Sequence, residues 1–141
     1  MNRLEKAILI ATQAHAGQVD KGGNPYILHP LRIMLWMNTE ETMITAVLHD
    51  VLEDTYVTPE DLLQAGLSRE VVAGVVALTR REGEPYMDFI KRTKRDSIAR
   101  LVKLADLEDN CDLTRLPNPT KEDFDRVERY KRAISELHGS L

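Results

Sequence analysis

The sequence predicts an all-α fold, namely a bundle of about seven or eight helices. In most segments, apolar residues recur at spacings of three and four, which is the period of a helix face. These segments start at residues that favour helix caps, and short loops containing glycine or proline separate them. Because short connections favour antiparallel neighbours, we expect the helices to pack into one compact bundle.

The composition is that of a globular protein with one domain, which we expect to span residues 1–141. Of these residues, 43% are hydrophobic and 30% are charged. A length of 141 residues is enough for one core and too short for two ordinary domains. A net charge of −4 argues against a nucleic-acid partner. No apolar run approaches membrane-spanning length, and the single cysteine, Cys111, indicates a reducing, cytoplasmic setting. The composition leaves the oligomeric state open.

The predicted helices begin at residues that suit helix starts. They cover residues 3–16, 31–37, 40–54, 59–66, 69–78, 86–95, 97–110 and 120–138. Five of them have a cap residue whose side-chain oxygen accepts a free backbone N–H of the first turn, and these caps are Thr39, Thr58, Ser68, Asp96 and Thr120. The last helix carries regularly mixed charges, so we expect it to pack against the bundle without chemistry of its own.

An irregular loop over residues 17–28 separates the first two predicted helices. Adjacent glycines and a proline prevent regular structure there and let backbone N–H groups approach an anion, and Lys21 adds a positive charge. His15 falls on the apolar stripe of the preceding helix, so it points toward the core. Because Pro30 suits the first helical position, we expect His29 to cap the second helix and to reach a neighbouring element.

The densest group of ionisable side chains is His49-Asp50-Val51-Leu52-Glu53-Asp54. Residues four apart share a helix face, which places Glu53 beside His49 and Asp54 beside Asp50. One imidazole and three carboxylates at the rim of an apolar helix are costly to bury unless a cation lies among them. A divalent metal would fill that role, whereas the alternative is a solvated helix end with an isolated histidine.

Two further polar features lie in the second half of the chain. Lys103, Asp106 and Asn110 are three and four residues apart, which makes them one polar stripe on an otherwise buried helix that requires partners. The segment 86–95 has a basic side that is either a solvated face or a phosphate-attracting rim, made of Lys91, Arg92, Lys94 and Arg95.

Three segments together offer four metal-type ligands, which are His29, His49, Asp50 and Asp106. Two imidazoles and two carboxylates suit manganese, iron or zinc, and the carboxylates favour Mn²⁺ over a closed structural zinc site. Such a metal activates water and polarises a phosphoryl oxygen. Glu53 and Asp54 are then placed to move protons, and Lys21 and Lys103 to neutralise phosphate.

The order of these motifs resembles that of the HD phosphohydrolase superfamily. More narrowly, residues 1–116 resemble the hydrolase domain of RelA/SpoT homologues and the stand-alone small alarmone hydrolases. The motifs that carry the resemblance are Ala14-His15-Ala16-Gly17-Gln18, Lys21, Gly23-Asn24-Pro25-Tyr26-Ile27-Leu28-His29-Pro30, His49-Asp50-Val51-Leu52-Glu53-Asp54-Thr55 and Val102-Lys103-Leu104-Ala105-Asp106 with Asn110.

The resemblance implies an all-α HD domain that removes the 3′-pyrophosphate from guanosine tetra- or pentaphosphate with Mn²⁺. It implies that His29, His49, Asp50 and Asp106 bind the metal and that Glu53 and Asp54 form the catalytic acidic pair. It also implies that His15 is not a metal ligand. The expected contacts to a small nucleotide substrate are Lys21, Asp20, Tyr26, Lys103, Asn110 and His15.

The sequence departs from the family pattern at two positions. Asp20 stands where the family usually has an arginine before the loop lysine, and Asp112 stands where it often has an arginine after the late motif. An acid neither stacks as a guanidinium does nor attracts phosphate, although it can hydrogen-bond a guanine edge. We expect phosphohydrolysis to remain, on a guanosine alarmone or on another nucleotide or phosphoester. Because no synthetase domain follows, we do not expect alarmone synthesis.

Two non-enzymatic alternatives stay open. The first is a nucleotide-sensing or partner-binding domain on the same scaffold; the presence of both Glu53 and Asp54 argues against it, since binding alone requires neither. The second is a structural helical domain whose polar stripe is a buried ion-pair network. That alternative predicts no stoichiometric metal and no loss of stability with a chelator.

Overall fold

The computed structural model describes residues 1–140, and the prediction of an all-α fold is confirmed there. The described part of the chain contains one isolated bridge, between Val19 and Pro25, and nine helical segments. These are α1 (Arg3–Ala14), α2 (Leu28–Leu35), α3 (Glu40–Val47), α4 (Val51–Asp54), α5 (Pro59–Gln64), α6 (Arg69–Ala77), α7 (Tyr86–Lys94), α8 (Ser97–Asn110) and α9 (Lys121–His138). One predicted helix is broken into α3 and α4, so counting those two as one gives eight helices.

The predicted caps start five of the helices. In each case the side-chain oxygen accepts a backbone N–H of the first turn. A cap of this kind contributes about 1 kcal/mol to helix stability. The five residues are Thr39, Thr58, Ser68, Asp96 and Thr120.

Helix α3 lies at the centre of the larger of two hydrophobic clusters. It packs against α1, α2, α6 and α8, and Ala46, Val47 and the following Leu48 are fully buried. The smaller cluster joins α7, α8 and α9. Helix α8 contributes Val102 to the first cluster and Leu107 to the second. Lys103 and Asp106, which lie between them in the sequence, are therefore anchored by the packing of α8 into both clusters.

His29 does not cap the second helix, so that expectation was wrong. Helix α2 begins at Leu28, three residues before the predicted start, because the chain already turns helically after Pro25 and the N–H of Leu28 bonds to the Pro25 carbonyl. His29 is therefore a buried residue of the first helical turn. Pro30 is tolerated as the third residue because the first N–H groups of a helix have no partner within it.

The four cations of α7 do not form one exposed face that could attract phosphate. Lys94 is only 5% exposed, and its ammonium donates to the Ser140 carbonyl at 2.6 Å. Arg92 forms a pair of hydrogen bonds with Glu84, both at 2.9 Å. These two cations are used in packing α7 against its neighbours. Among residues 1–140, no helix is both long enough and apolar enough to cross a membrane.

Candidate active site

Three of the predicted metal ligands converge from separate parts of the chain. His29 comes from α2, His49 from the break after α3, and Asp106 from α8; all three are buried, and a ligand atom of each lies within 4.8 Å of the others. His29 Nε2 is 2.8 Å and His49 Nε2 is 3.3 Å from Asp106 Oδ1. Asp50 Oδ2 lies 3.0 Å from His49 Nε2, at the edge of the same group.

The environment of His49 favours a cation. Its Nδ1 donates to the Ala46 carbonyl at 2.8 Å, which leaves the lone pair of the neutral imidazole on Nε2. That atom is buried without a hydrogen-bond partner in the described chain and faces carboxylates of Asp50 and Asp106. Burial lowers the pKa of His49, but these carboxylates outweigh burial and raise it well above its usual value, so a proton occupies Nε2 in the metal-free protein. A divalent metal would take the place of that proton between the imidazole and the carboxylates, so the donor set fits one.

Asp106 is held by the polar stripe predicted on its helix. Its Oδ2 accepts from Lys103 Nζ at 2.9 Å, and its Oδ1 accepts from Asn110 Nδ2 at 3.1 Å. Burial opposes ionisation of Asp106, but Lys103 and the histidines hold its pKa well below the usual range. Lys103 and Asn110 therefore orient an ionised Asp106 in this structure. Only Asn110 also lines the neighbouring cleft.

The acidic pair lies beside this group. Asp50, Glu53 and Asp54 each have a carboxylate oxygen within 4.8 Å of the others. Although the helix breaks after Val47, the N–H of Asp54 still bonds to the Asp50 carbonyl at 3.0 Å. Both Glu53 and Asp54 are exposed, yet partial burial raises the pKa of each carboxyl, and the charge of Asp50 raises it further.

A cleft of about 350 Å³ opens next to the buried group of His29, His49 and Asp106, which we call the metal-type group. His29 belongs to both, so the two form one continuous site. Four of the expected substrate contacts line the cleft and two, His15 and Lys103, do not. The four that line it are Asp20, Lys21, Tyr26 and Asn110.

His15 and Tyr26 support the site from the loop side. The phenol of Tyr26 donates to Asp50 Oδ2, and its ring lies 4.9 Å from that of His15. His15 Nδ1 contacts Gln18 Oε1 at 2.8 Å, and Gln18 Nε2 donates to the Asp54 carbonyl at 3.2 Å. His15 is thus outside the metal-type group and ties the loop to the acidic segment.

The two acids that replace arginines of the family pattern are occupied in building loops. Asp20 Oδ1 accepts the backbone N–H groups of Gly22 and Asn24, both at 2.9 Å. Asp112 Oδ1 accepts the N–H of Thr114, and its Oδ2 pairs with Arg115 at 3.0 Å. Their negative charge is therefore partly neutralised before any ligand enters the cleft.

Several residues of the site were missed by the sequence analysis. They line the cleft, and they are Arg32, Asp109, Arg115, Arg126 and Tyr130. The last two come from α9, which therefore contributes side chains to the cleft wall as well as packing against the bundle. Arg32 lies three residues after His29 on α2, and Asp109 lies three residues after Asp106 on α8. Because residues three apart share a helix face, this spacing could have indicated that both face the site.

Replacing Gly22 with alanine should destabilise the protein. A Cβ at Gly22 would lie 2.7 Å from the backbone oxygen of Arg115, so the two loops that flank the cleft must separate. We expect a loss of about 1–3 kcal/mol, measured by urea unfolding. Gly139→Ala is the matched control, because the same change there brings the new Cβ no closer than 3.4 Å to another atom, which is an ordinary contact. Equal losses in both variants would contradict the close approach.

The comparisons with known proteins agree with this geometry. No protein-family model matches the chain. The bifunctional (p)ppGpp synthase/hydrolase SpoT of Escherichia coli K12 is 37% identical over 155 aligned positions, covering 100% of this chain and 21% of that protein. A guanosine-3′,5′-bis(diphosphate) 3′-pyrophosphohydrolase of Aquifex aeolicus is 35% identical over 118 positions, covering 76% of this chain and 17% of that protein.

The fold is also found in a solved structure. It is described as a metazoan ortholog of SpoT that hydrolyses ppGpp, and it matches with a TM-score of 0.81 at 24% identity, over 99% of this chain and 87% of that chain. The chain spans about one fifth of the length of the curated relatives named above. The resemblance to the hydrolase domain of RelA/SpoT homologues is thereby confirmed: the chain is homologous over its whole length to one segment of the (p)ppGpp synthase/hydrolases.

Proposed function

We propose that this protein is a metal-dependent phosphohydrolase that releases pyrophosphate from the 3′ position of a guanosine-type alarmone. The observation that carries the proposal is the buried group of His29, His49 and Asp106, which opens directly onto a cleft lined by four cationic side chains and three carboxylates. The names of the relatives, which describe a guanosine-3′,5′-bis(diphosphate) 3′-pyrophosphohydrolase, support the substrate class.

We infer that Mn²⁺ is the metal and that Asp50 joins His29, His49 and Asp106 in holding it. Mixed imidazole and carboxylate donors suit Mn²⁺, and Asp50 is already 3.0 Å from His49. When bound, a divalent ion supplies an activated water and polarises a phosphoryl oxygen.

Glu53 and Asp54 are proposed to move the protons of the reaction. Hydrolysis forms a bond from the water oxygen to phosphorus and breaks the bond between phosphorus and the ribose 3′-oxygen. One carboxylate accepts a proton from the water, and its protonated neighbour gives one to the departing 3′-oxygen. The raised pKa of both carboxyls supports this division, since one of the pair is then protonated more readily than an ordinary surface acid.

Cations on three sides of the cleft support binding of a phosphorylated ligand. Lys21 comes from the loop, Arg115 from the segment after α8, and Arg126 from α9. A second candidate substrate is another nucleotide, because the side chain of Asp20 is committed to Gly22 and Asn24 and offers no guanidinium for stacking on a base.

The base preference can be tested with two tetraphosphates. The Mn²⁺-loaded protein would be incubated separately with guanosine tetraphosphate and its adenosine counterpart, and kcat/KM for pyrophosphate release compared. A clear preference for the guanosine compound supports the proposed substrate. A preference for the adenosine compound, or turnover of neither alongside turnover of other phosphoesters, supports the second candidate. Stoichiometric metal with no turnover on any of them would support a sensing role.

The titration of the acidic pair should reveal its raised pKa values. Burial raises the pKa of Glu53 and Asp54, so both carboxyls should lose their protons above the ordinary values of about 4.3 and about 3.9. The measurement is a carbon-13 NMR titration of the two carboxyl groups in the metal-free protein, because a bound cation would lower both pKa values. Midpoints at or below the ordinary values would contradict the assigned roles.

We also propose that residues 1–141 form a single domain and that it works in the cytoplasm. Helix α8 supports the first proposal because it contributes to both hydrophobic clusters. The free thiol of Cys111 supports the second, since unpaired cysteines suit a reducing compartment.

A further inference from the structure

We propose that Asp109 is a positioning residue that holds the imidazole of His29 ready for the metal. This inference rests on the proposed metal site and adds a residue to it. Asp109 lies on α8, three residues after Asp106, and is only 2% exposed. Two carboxylates from one helix therefore flank a single imidazole from another.

The contacts of His29 define its orientation. Its Nδ1 lies 2.5 Å from Asp109 Oδ2, and its Nε2 lies 2.8 Å from Asp106 Oδ1. When a metal takes the place of the proton between Nε2 and Asp106, the carboxylate at Nδ1 keeps the other proton on Nδ1 and directs the lone pair of Nε2 to the metal. Carboxylate partners of this kind fix the tautomer and ring orientation of a metal-binding histidine and make it more basic.

Two arginines hold both carboxylate oxygens of Asp109 in place. Arg32 Nε donates to its Oδ1 at 3.0 Å, and Arg32 Nη2 donates to its Oδ2 at 3.0 Å. Arg115 Nη2 lies 3.2 Å from Oδ1 and also donates to the Asp109 backbone carbonyl at 2.9 Å. Because both oxygens of Asp109 are paired with arginines, its carboxylate stays in position to accept the hydrogen bond from His29 Nδ1.

Asp109 thereby connects the metal ligand to the wall of the cleft. Arg32 and Arg115 line that cleft, and each touches the carboxylate that holds His29. A purely structural ion pair would also connect these side chains. The two roles differ in one measurable respect, since a structural pair affects unfolding, whereas a positioning residue also affects the affinity for metal.

The test is Mn²⁺ binding by the full chain and by Asp109→Asn, measured by titration with electron paramagnetic resonance. We expect the dissociation constant to rise about 10- to 100-fold in the variant. Asp112→Asn is the matched control, because Asp112 also pairs with Arg115 but does not contact His29. The control should bind Mn²⁺ as the unaltered protein does. Unchanged affinity in Asp109→Asn, or an equal loss in the control, would overturn the proposal.

A second measurement needs no variant and guards against misfolding of Asp109→Asn. In the unaltered protein loaded with diamagnetic Zn²⁺, nitrogen-15 NMR of the histidine rings should find the His29 proton on Nδ1. A proton on Nε2 would refute the inference while leaving metal binding intact. Failure of the unaltered protein to bind any divalent metal would instead overturn the metal site itself, and with it the proposed function.

Discussion

Asp106→Asn should abolish metal-dependent turnover while leaving the helices folded. Among residues 1–140, Asp106 offers the one carboxylate that touches both His29 and His49, so its loss removes the centre of the donor group. A bound metal supplies several kcal/mol of transition-state stabilisation, which corresponds to a fall in kcat/KM of about 10³-fold or more. Pyrophosphate release and Mn²⁺ titration would be measured together, with circular dichroism to confirm helix content.

The Asp106 variant needs a control for folding, because Lys103 would lose its buried partner. Breaking such a pair costs about 3–5 kcal/mol, so the variant should be compared at a temperature well below its own unfolding midpoint. Asp88→Asn makes the same chemical change at an exposed position of α7 that does not line the cleft. Normal metal affinity in a folded Asp106→Asn would show that Asp106 is not a ligand.

The double variant Glu53→Gln/Asp54→Asn should separate proton transfer from metal binding. Neither side chain belongs to the group of His29, His49 and Asp106. We therefore expect Mn²⁺ to bind with nearly unaltered affinity. Turnover should fall about 10²- to 10⁴-fold, which is the usual contribution of a positioned acid or base.

The matched control for the acidic pair is Glu82→Gln/Asp88→Asn. It removes the same two charges from exposed positions and should keep full activity. A double variant at Glu53 and Asp54 that retains turnover would assign the proton transfers to other groups. Loss of metal affinity in that variant would instead make the acidic pair part of the metal site.

Much of the fold could be predicted because helix starts are local. Thr39 and Thr120 start α3 and α9 through hydrogen bonds to residues only three positions away. The break after Val47 has no such local signal. There the chain leaves the helix with Leu48 and His49 both buried, so packing against the core decides the backbone path.

The site was predicted less completely, for two physical reasons. Spacing can show that His29 and Asp106 are suitable ligands, but their meeting depends on how α2 packs against α8, which only the family resemblance implied in advance. Residue type also does not show how a charge is used. Asp20 was expected to face the substrate, yet one of its oxygens holds the backbone of its own loop.

The part played by α9 illustrates a further limit. An amphipathic pattern shows which face of a helix is buried, and Val127 and Ala133 indeed pack inward. The pattern does not show what lies opposite the remaining side chains. Arg126 and Tyr130 reach the cleft because α9 folds back along α8, a long-range contact that periodicity cannot reveal.

Product analysis with guanosine tetraphosphate tests whether a metal held in this group performs the proposed cleavage. The protein would first be stripped with a chelator and then assayed with and without added Mn²⁺, and the products separated by anion exchange. We predict guanosine 5′-diphosphate and pyrophosphate in equal amounts, formed only after Mn²⁺ is restored. Equal turnover in the stripped protein, or release of orthophosphate in place of pyrophosphate, would contradict a metal-dependent 3′-pyrophosphohydrolase.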